Sequence, residues 1–141
     1  MKVFIDTNIF LDYLERRPCY KEALALFRLS AKEEISLFLS DLTIANSKYI
    51  TRRTISIKEY YAILKRLRKY FHIVPVSSQA VDNALSIEAT DFEDALQYFA
   101  AELANADCIV TRNIKDFDFA TRIEIIEPKD FIEKYYPEEL V

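Results

Sequence analysis

The chain has 141 residues, the size of one domain, and its 51% hydrophobic and 13% aromatic residues suit a packed core rather than a disordered segment. It contains no glycine, so the phosphate-cradling loops and dinucleotide turns that need positive φ and close backbone approach are excluded. No apolar run approaches the roughly eighteen residues of a membrane span, and the N-terminus lacks a basic-then-apolar signal segment, so a cytoplasmic protein without membrane contact is expected.

In chain order, Val3 to Ile5 form an apolar run that ends in Asp6, which reads as a buried central strand delivering a carboxylate to the edge of a sheet, with a plain turn or capping carboxylate as the alternative. Thr7 or Asn8 can cap the helix that follows, with Ile9, Phe10, Tyr13 and Leu14 returning an apolar face. Glu22 to Leu29 has helical spacing. Ile35 to Leu39 reads as a second strand closed by Ser40, and a helix is expected from about Leu42 to Arg53. Ser56 and Glu59 form a capping box for a helix carrying Tyr60, Ile63, Leu64 and Leu67. Ile73 to Val76 is a third strand, and Ser77 and Ser78 open another helix. Asp91-Phe-Glu-Asp94 starts an alanine-rich helix ending near Ala106, Cys108 to Val110 and Ile123 to Ile126 are strands, and Pro128 opens a last helix through Tyr135.

Strands separated by helices imply right-handed crossovers. The expected fold is therefore α/β: one domain over residues 1–141, a three-layer α/β/α sandwich around a mostly parallel five-stranded sheet. Cys19 and Cys108 fall in a helical and a strand-like stretch and are expected as free thiols. The single histidine, His72, sits in an apolar run and reads as structural, and no Cys/His set exists for zinc.

Charge is segregated. Between Lys48 and His72 lie eight basic residues and one acid, Glu59, so that segment carries +7 and the remainder −11. Such a run is as often the solvated face of two helices; the functional alternative is an arm of Lys48, Arg52, Arg53, Lys65 and Arg66, interleaved with Tyr49, Tyr60, Tyr61 and Tyr70, that binds RNA phosphates. Asp6, Asp94 and Asp116 can converge at one sheet edge, although Asp91 and Asp94 also suit plain helix capping. Converging carboxylates repel unless a cation neutralises them, and an all-oxygen set suits Mg²⁺ or Mn²⁺ and metal-assisted phosphodiester hydrolysis.

Ile5-Asp-Thr-Asn-Ile-Phe-Leu-Asp12 resembles the opening of PIN domains, and Asp91 to Ala101 followed by Cys108-Ile-Val-Thr-Arg-Asn-Ile-Lys-Asp-Phe117 resembles their second half, in the same order and spacing. The resemblance, to the VapC-like toxin branch, implies a Mg²⁺- or Mn²⁺-dependent endoribonuclease held in check by a small antitoxin protein, and leaves a homodimer open. It implies Asp6, Asp94 and Asp116 as catalytic metal ligands, with Thr7, Asn8, Asn46 and Asn113 as supporting or neutral ligands. Asn46 and Asn113 stand where the family usually has acids, which implies weaker metal binding and low activity. The competing reading is a PIN-like module that binds RNA or protein without cutting. A haloacid-dehalogenase-like phosphatase would need Asp-x-Asp where this chain has Asp6-Thr7-Asn8, and a receiver domain would need adjacent N-terminal acids; neither requirement is met.

Overall fold

The computed structural model describes residues 1–120 and 122–140. Its centre is β1 (Lys2–Ile5), flanked in a five-stranded, all-parallel sheet by β2 (Ser36–Ser40), β3 (His72–Val74), β4 (Cys108–Val110) and β5 (Glu124–Ile126), in the order β3-β2-β1-β4-β5. Phe4 pairs with Phe38 on one side and Ile109 on the other, so the three inner strands share a register. Side chains alternate between faces with period two. Val3, Ile5, Leu37, Leu39, Cys108, Val110 and Ile126 enter one core; Phe4 and Ile109 enter the other.

The first face is covered by α1 (Thr7–Leu14), α2 (Tyr20–Ala31), α3 (Asp41–Ile50), α4 (Ile57–Leu67) and α7 (Pro128–Tyr135), whose apolar residues join that core. The second carries α6 (Phe92–Leu103), with α5 (Ser78–Ile87) packed on it. These are the three expected layers. Four serine and aspartate caps act at their helix starts: Ser40, Ser56, Ser77 and Asp91 each accept from the backbone three residues on. The helix expected to reach Arg53 ends at Ile50, because Thr51 turns its hydroxyl back to the Ser47 carbonyl (2.8 Å) and residues 51–54 form a turn.

Without glycine, the helix ends must use costlier residues. Arg16, Glu33 and Asn105 take φ of 49°, 60° and 60° just beyond α1, α2 and α6. At Glu33 and Asn105 the paired backbone bonds of a Schellman turn form around them, Glu34 N–H to Leu29 O and Ala106 N–H to Ala101 O among them. Both cysteines are free, and burial pushes the Cys108 thiol up to about 12. His72 is an exposed edge-strand residue whose ring meets Phe38 edge-on at 5.0 Å. No helix among the described residues is long and apolar enough to cross a membrane.

Candidate active site

Successive strands step outward from β1 through β2 to β3, and the chain then returns to build β4 and β5 on the other side of β1. The direction reverses between β1 and β4, and it is outside the carboxyl ends of such strands that open α/β sheets form their crevice. Asp6 follows β1 there. It is 3% exposed; its Oδ1 accepts the Thr7 N–H (2.8 Å) and its Oδ2 accepts the Thr111 hydroxyl (3.0 Å), which reaches it from the end of β4. Asp6 is itself the N-cap of α1, so neither Thr7 nor Asn8 takes that role. Burial pushes the Asp6 carboxyl up to about 6; the bonds from Thr111 and Thr7 oppose that shift, and the charges of Glu93 and Asp91 add to it.

The Thr7 hydroxyl turns instead to Thr43 (2.8 Å), and Gln97 Nε2 donates to both threonines (3.1 and 3.0 Å). All three residues are buried, so this network ties α1, α3 and α6 together beneath the edge. Asn8 is half-buried in the first turn of α1.

Because α6 leads into the start of β4, its own start lies at the same edge. Asp91 caps it, accepting the Asp94 N–H (3.0 Å), so the expected capping geometry and the expected site residue coexist. The Asp94 carboxyl is pushed up to about 7, first by burial and then by the charges of Asp6, Asp91, Asp116 and Glu93. Asp116 stands exposed in the single turn Ile114–Phe117 after β4. That turn is held from both ends: Phe117 is buried in the second core, and the Thr111 hydroxyl, besides holding Asp6, accepts the Asn113 N–H (3.1 Å). Arg112 forms a two-pronged pair with Asp12 of α1 (2.8 and 3.2 Å), clamping this loop to the helix that Asp6 starts. Asp12 is nearly inaccessible, and burial raises its pKa despite the guanidinium.

The structure thus gathers Asp6, Asp94 and Asp116 at one edge. Among the described residues, no three His, Cys, Asp or Glu side chains stand close enough to enclose an ion. The donor chemistry nevertheless fits a hard divalent cation: the groups are oxygens, and burial first, with neighbouring acids adding to it, raises the pKa values of two of the carboxylates.

Residues 2–115 match the sequence profile of PIN domains. The chain belongs to the PIN domain family. No curated protein matches its sequence. In structure it is similar to a chain of the DNA-bound VapBC of Salmonella typhimurium, with TM-score 0.71, 17% identity, and 91% of this chain and 98% of that one covered. It is similar also to a chain of VapBC2 of Rickettsia felis bound to a DNA fragment from their promoter (TM-score 0.68, 19% identity, 89% and 97% covered). A third is VapC20 of Mycobacterium tuberculosis, a toxin that cleaves the sarcin-ricin loop (TM-score 0.60, 15% identity, 76% and 86% covered). At these identities the likeness is one of fold.

Asn46, expected from the resemblance to stand at the family's second acid position, lies against the first turn of α6. Its Nδ2 donates to Glu93 Oε1 at 3.0 Å. Glu93 is the residue that sequence reasoning passed over. Neighbouring residues on a helix point about 100° apart, so in the first turn of α6 one acid can face α3 while Asp94 faces Asp6; the signal was the second carboxylate in Asp91-Phe-Glu-Asp94. Asn113, exposed, begins the turn that carries Asp116.

The basic arm of this PIN domain comprises the end of α3, the turn 51–54 and α4. Arg52, Arg53, Lys65 and Arg66 are exposed, and Lys48 lies over the ring of Tyr60 at 5.6 Å. Among the described residues none of the cations from Lys48 to Lys69 is in a salt bridge, although the chain has 23 acids. Of the four tyrosines expected to interleave with them, Tyr60 does not: it is 3% exposed, and its hydroxyl bonds to Ile44 O (3.0 Å) and Ser47 Oγ (2.8 Å). Tyr70 packs half-buried on the first core, which leaves Tyr49 and Tyr61 on the surface.

Proposed function

We propose that this PIN domain is a Mg²⁺- or Mn²⁺-dependent endoribonuclease and the toxin of a toxin–antitoxin pair. The observation that carries the reading is the gathering of Asp6, Asp94 and Asp116 at the reversal edge of the sheet. These three would hold the ion, with Glu93, Asn46 and Asn113 as nearby oxygens; bound there, a divalent cation activates water and stabilises charge on the phosphate. The chain's own contribution is placement. Thr7 and Thr111 fix both oxygens of Asp6, the Arg112–Asp12 pair fixes the Asp116 loop, and the exposed cations of the basic arm bring an RNA backbone to an edge that would otherwise repel it. Residues 1–141 act as one domain in the cytoplasm. The likeness to chains of VapBC and toxin–antitoxin complexes supports a small antitoxin as partner.

A second reading, a PIN module that binds RNA or protein without cutting, is favoured by one observation: Asn46 meets Glu93 at the acidic edge with an amide that carries no charge. The deciding measurement is cleavage of an RNA panel, with and without Mg²⁺ or Mn²⁺, by the wild type and by Asp6→Asn. Metal-dependent cleavage that the variant lacks supports the nuclease. Cleavage retained by a nuclease-free preparation of the variant sinks it, and binding without cleavage by the wild type returns the second reading.

A further inference from the structure

The surface cluster that the acidic edge does not account for is the aromatic one at the end of α3. Tyr49 is 65% exposed, yet it is not loose. The guanidinium of Arg52 lies 4.0 Å from its ring centroid, and Arg52 Nη1 donates to the Tyr49 carbonyl at 2.9 Å, fixing the cation against the ring. Ile50, Ile57 and Tyr61 of the same basic arm are exposed as well, at 45%, 65% and 57%. The location of Tyr49 follows from helix geometry. Tyr49 stands three residues after Asn46, so the two share a face about one turn apart, and Asn46 touches Glu93 beside Asp94.

We infer that Tyr49, backed by Arg52, is a stacking platform for an unpaired RNA base next to the acidic edge. The inference rests on the ribonuclease reading for its substrate, but concerns binding only. Charge selects the occupant. The patch lies in a segment of +7 whose cations have no acidic partner among the described residues, so it suits a polyanion. A duplex offers phosphates and hides its base faces, whereas an unpaired strand offers both; an exposed ring with an arginine stacked on it matches the second. Stacking also holds RNA beside carboxylates that repel its backbone.

The test measures affinity in EDTA, where cleavage plays no part, for a labelled single-stranded RNA and for the same strand annealed to its complement. Tyr49→Ala is expected to weaken single-strand binding about tenfold and duplex binding hardly at all. Tyr49→Phe should retain binding; Tyr49→Leu, which keeps apolar bulk without a ring, should lose it. The chain has no tryptophan, so tyrosine fluorescence quenched by the single strand, and less so in Tyr49→Phe, gives a second readout. Unchanged single-strand affinity in Tyr49→Ala and Tyr49→Leu, equal loss on both RNAs, or retention by Tyr49→Leu overturns the inference. So does a change in self-association or in binding to an acidic protein with RNA affinity intact, which would assign the patch to a protein. Failure of cleavage by the wild type leaves this binding result standing.

Discussion

The acidic edge and the basic arm are both concentrations of one charge, and they are built in opposite ways. Asp6 is sealed from water, bonded at both oxygens and pressed by neighbouring acids, so the fold bears a cost to keep it there. Arg52, Arg53, Lys58, Lys65 and Arg66 stand exposed and, among the described residues, without a salt bridge, so they add little to stability. A buried like-charge cluster is an energy reservoir for a cation, and a solvated one is a recruiting surface for a polyanion. Substitutions in the two regions should therefore separate stability from binding.

The largest separation is expected in activity. Asp6→Asn should reduce metal-dependent cleavage on the order of a thousandfold, the equivalent of several kcal/mol of lost charge stabilisation, while leaving RNA affinity in EDTA nearly unchanged. Neutralising the arm should do the reverse, raising KM with little effect on kcat. If single-turnover cleavage falls equally in both variants, the regions are not separate devices.

Stability against pH comes next. The folded state holds the Asp6 proton more tightly than the unfolded chain does, since its carboxyl is raised from the ordinary 3.8 to about 6. Its contribution is thus neutral below about pH 4, grows unfavourable between about pH 4 and pH 6, and levels off above that at roughly 3 kcal/mol. Asp94, raised to about 7, acts in the same direction. Metal-free protein should melt at higher temperature at pH 5 than at pH 8, and Asp6→Asn, whose amide can still cap α1, should flatten that slope and raise the melting temperature at pH 8. A slope as steep in the variant would mean that Asp6 is not the group responsible.

Smaller again is the clamp. Arg112→Gln should destabilise by about 2 kcal/mol, below the value for a fully buried pair because the arginine is one-third exposed, and it leaves Asp12 buried without a partner. Adding Asp12→Asn should recover part of the loss in thermal melts. If the double variant is no better than the single one, the guanidinium acts through packing instead of charge.

How far the sequence revealed these regions depends on the range of the interaction involved. The strands were legible because Val3 to Ile5 and Cys108 to Val110 are apolar on both faces, and the helix starts because Ser40, Ser56, Ser77 and Asp91 act within three residues. Asp6 was legible as a strand-end carboxylate that could serve a site or a cap; the structure shows it capping α1, with its second oxygen bound to Thr111. Tyr60 and Tyr61 look alike in sequence; only the position of Ile44 and Ser47 across the α3–α4 turn decides which is buried. The Asn46–Glu93 contact joins residues 47 apart, and nothing local announces it. Positive φ at Arg16 and Glu33 was equally hidden, because neither residue type favours it.

The smallest expected effects are those of single cations on the arm, and they bear most directly on whether it recruits RNA. Lys65 and Arg66 lie in the last turn of α4, exposed and without a salt bridge among the described residues, so Lys65→Gln and Arg66→Gln each remove a charge without stranding another. Both also sit where a cation favours the helix dipole, a contribution of a few tenths of a kcal/mol when exposed, so each melt should shift by less than about 0.5 kcal/mol. In RNA binding the two effects differ in kind from a loss of fold. A lysine that meets a phosphate releases about 0.7 of a condensed counterion per single-strand contact, so its removal should lower the slope of log affinity against log salt by about 0.7 and weaken binding most at low salt. A lysine that merely solvates its helix changes neither. Titrations of single-stranded RNA in EDTA at several salt concentrations distinguish the cases: reduced slopes in both variants place α4 on the RNA path, and unchanged slopes confine the path to Tyr49, Arg52 and the end of α3.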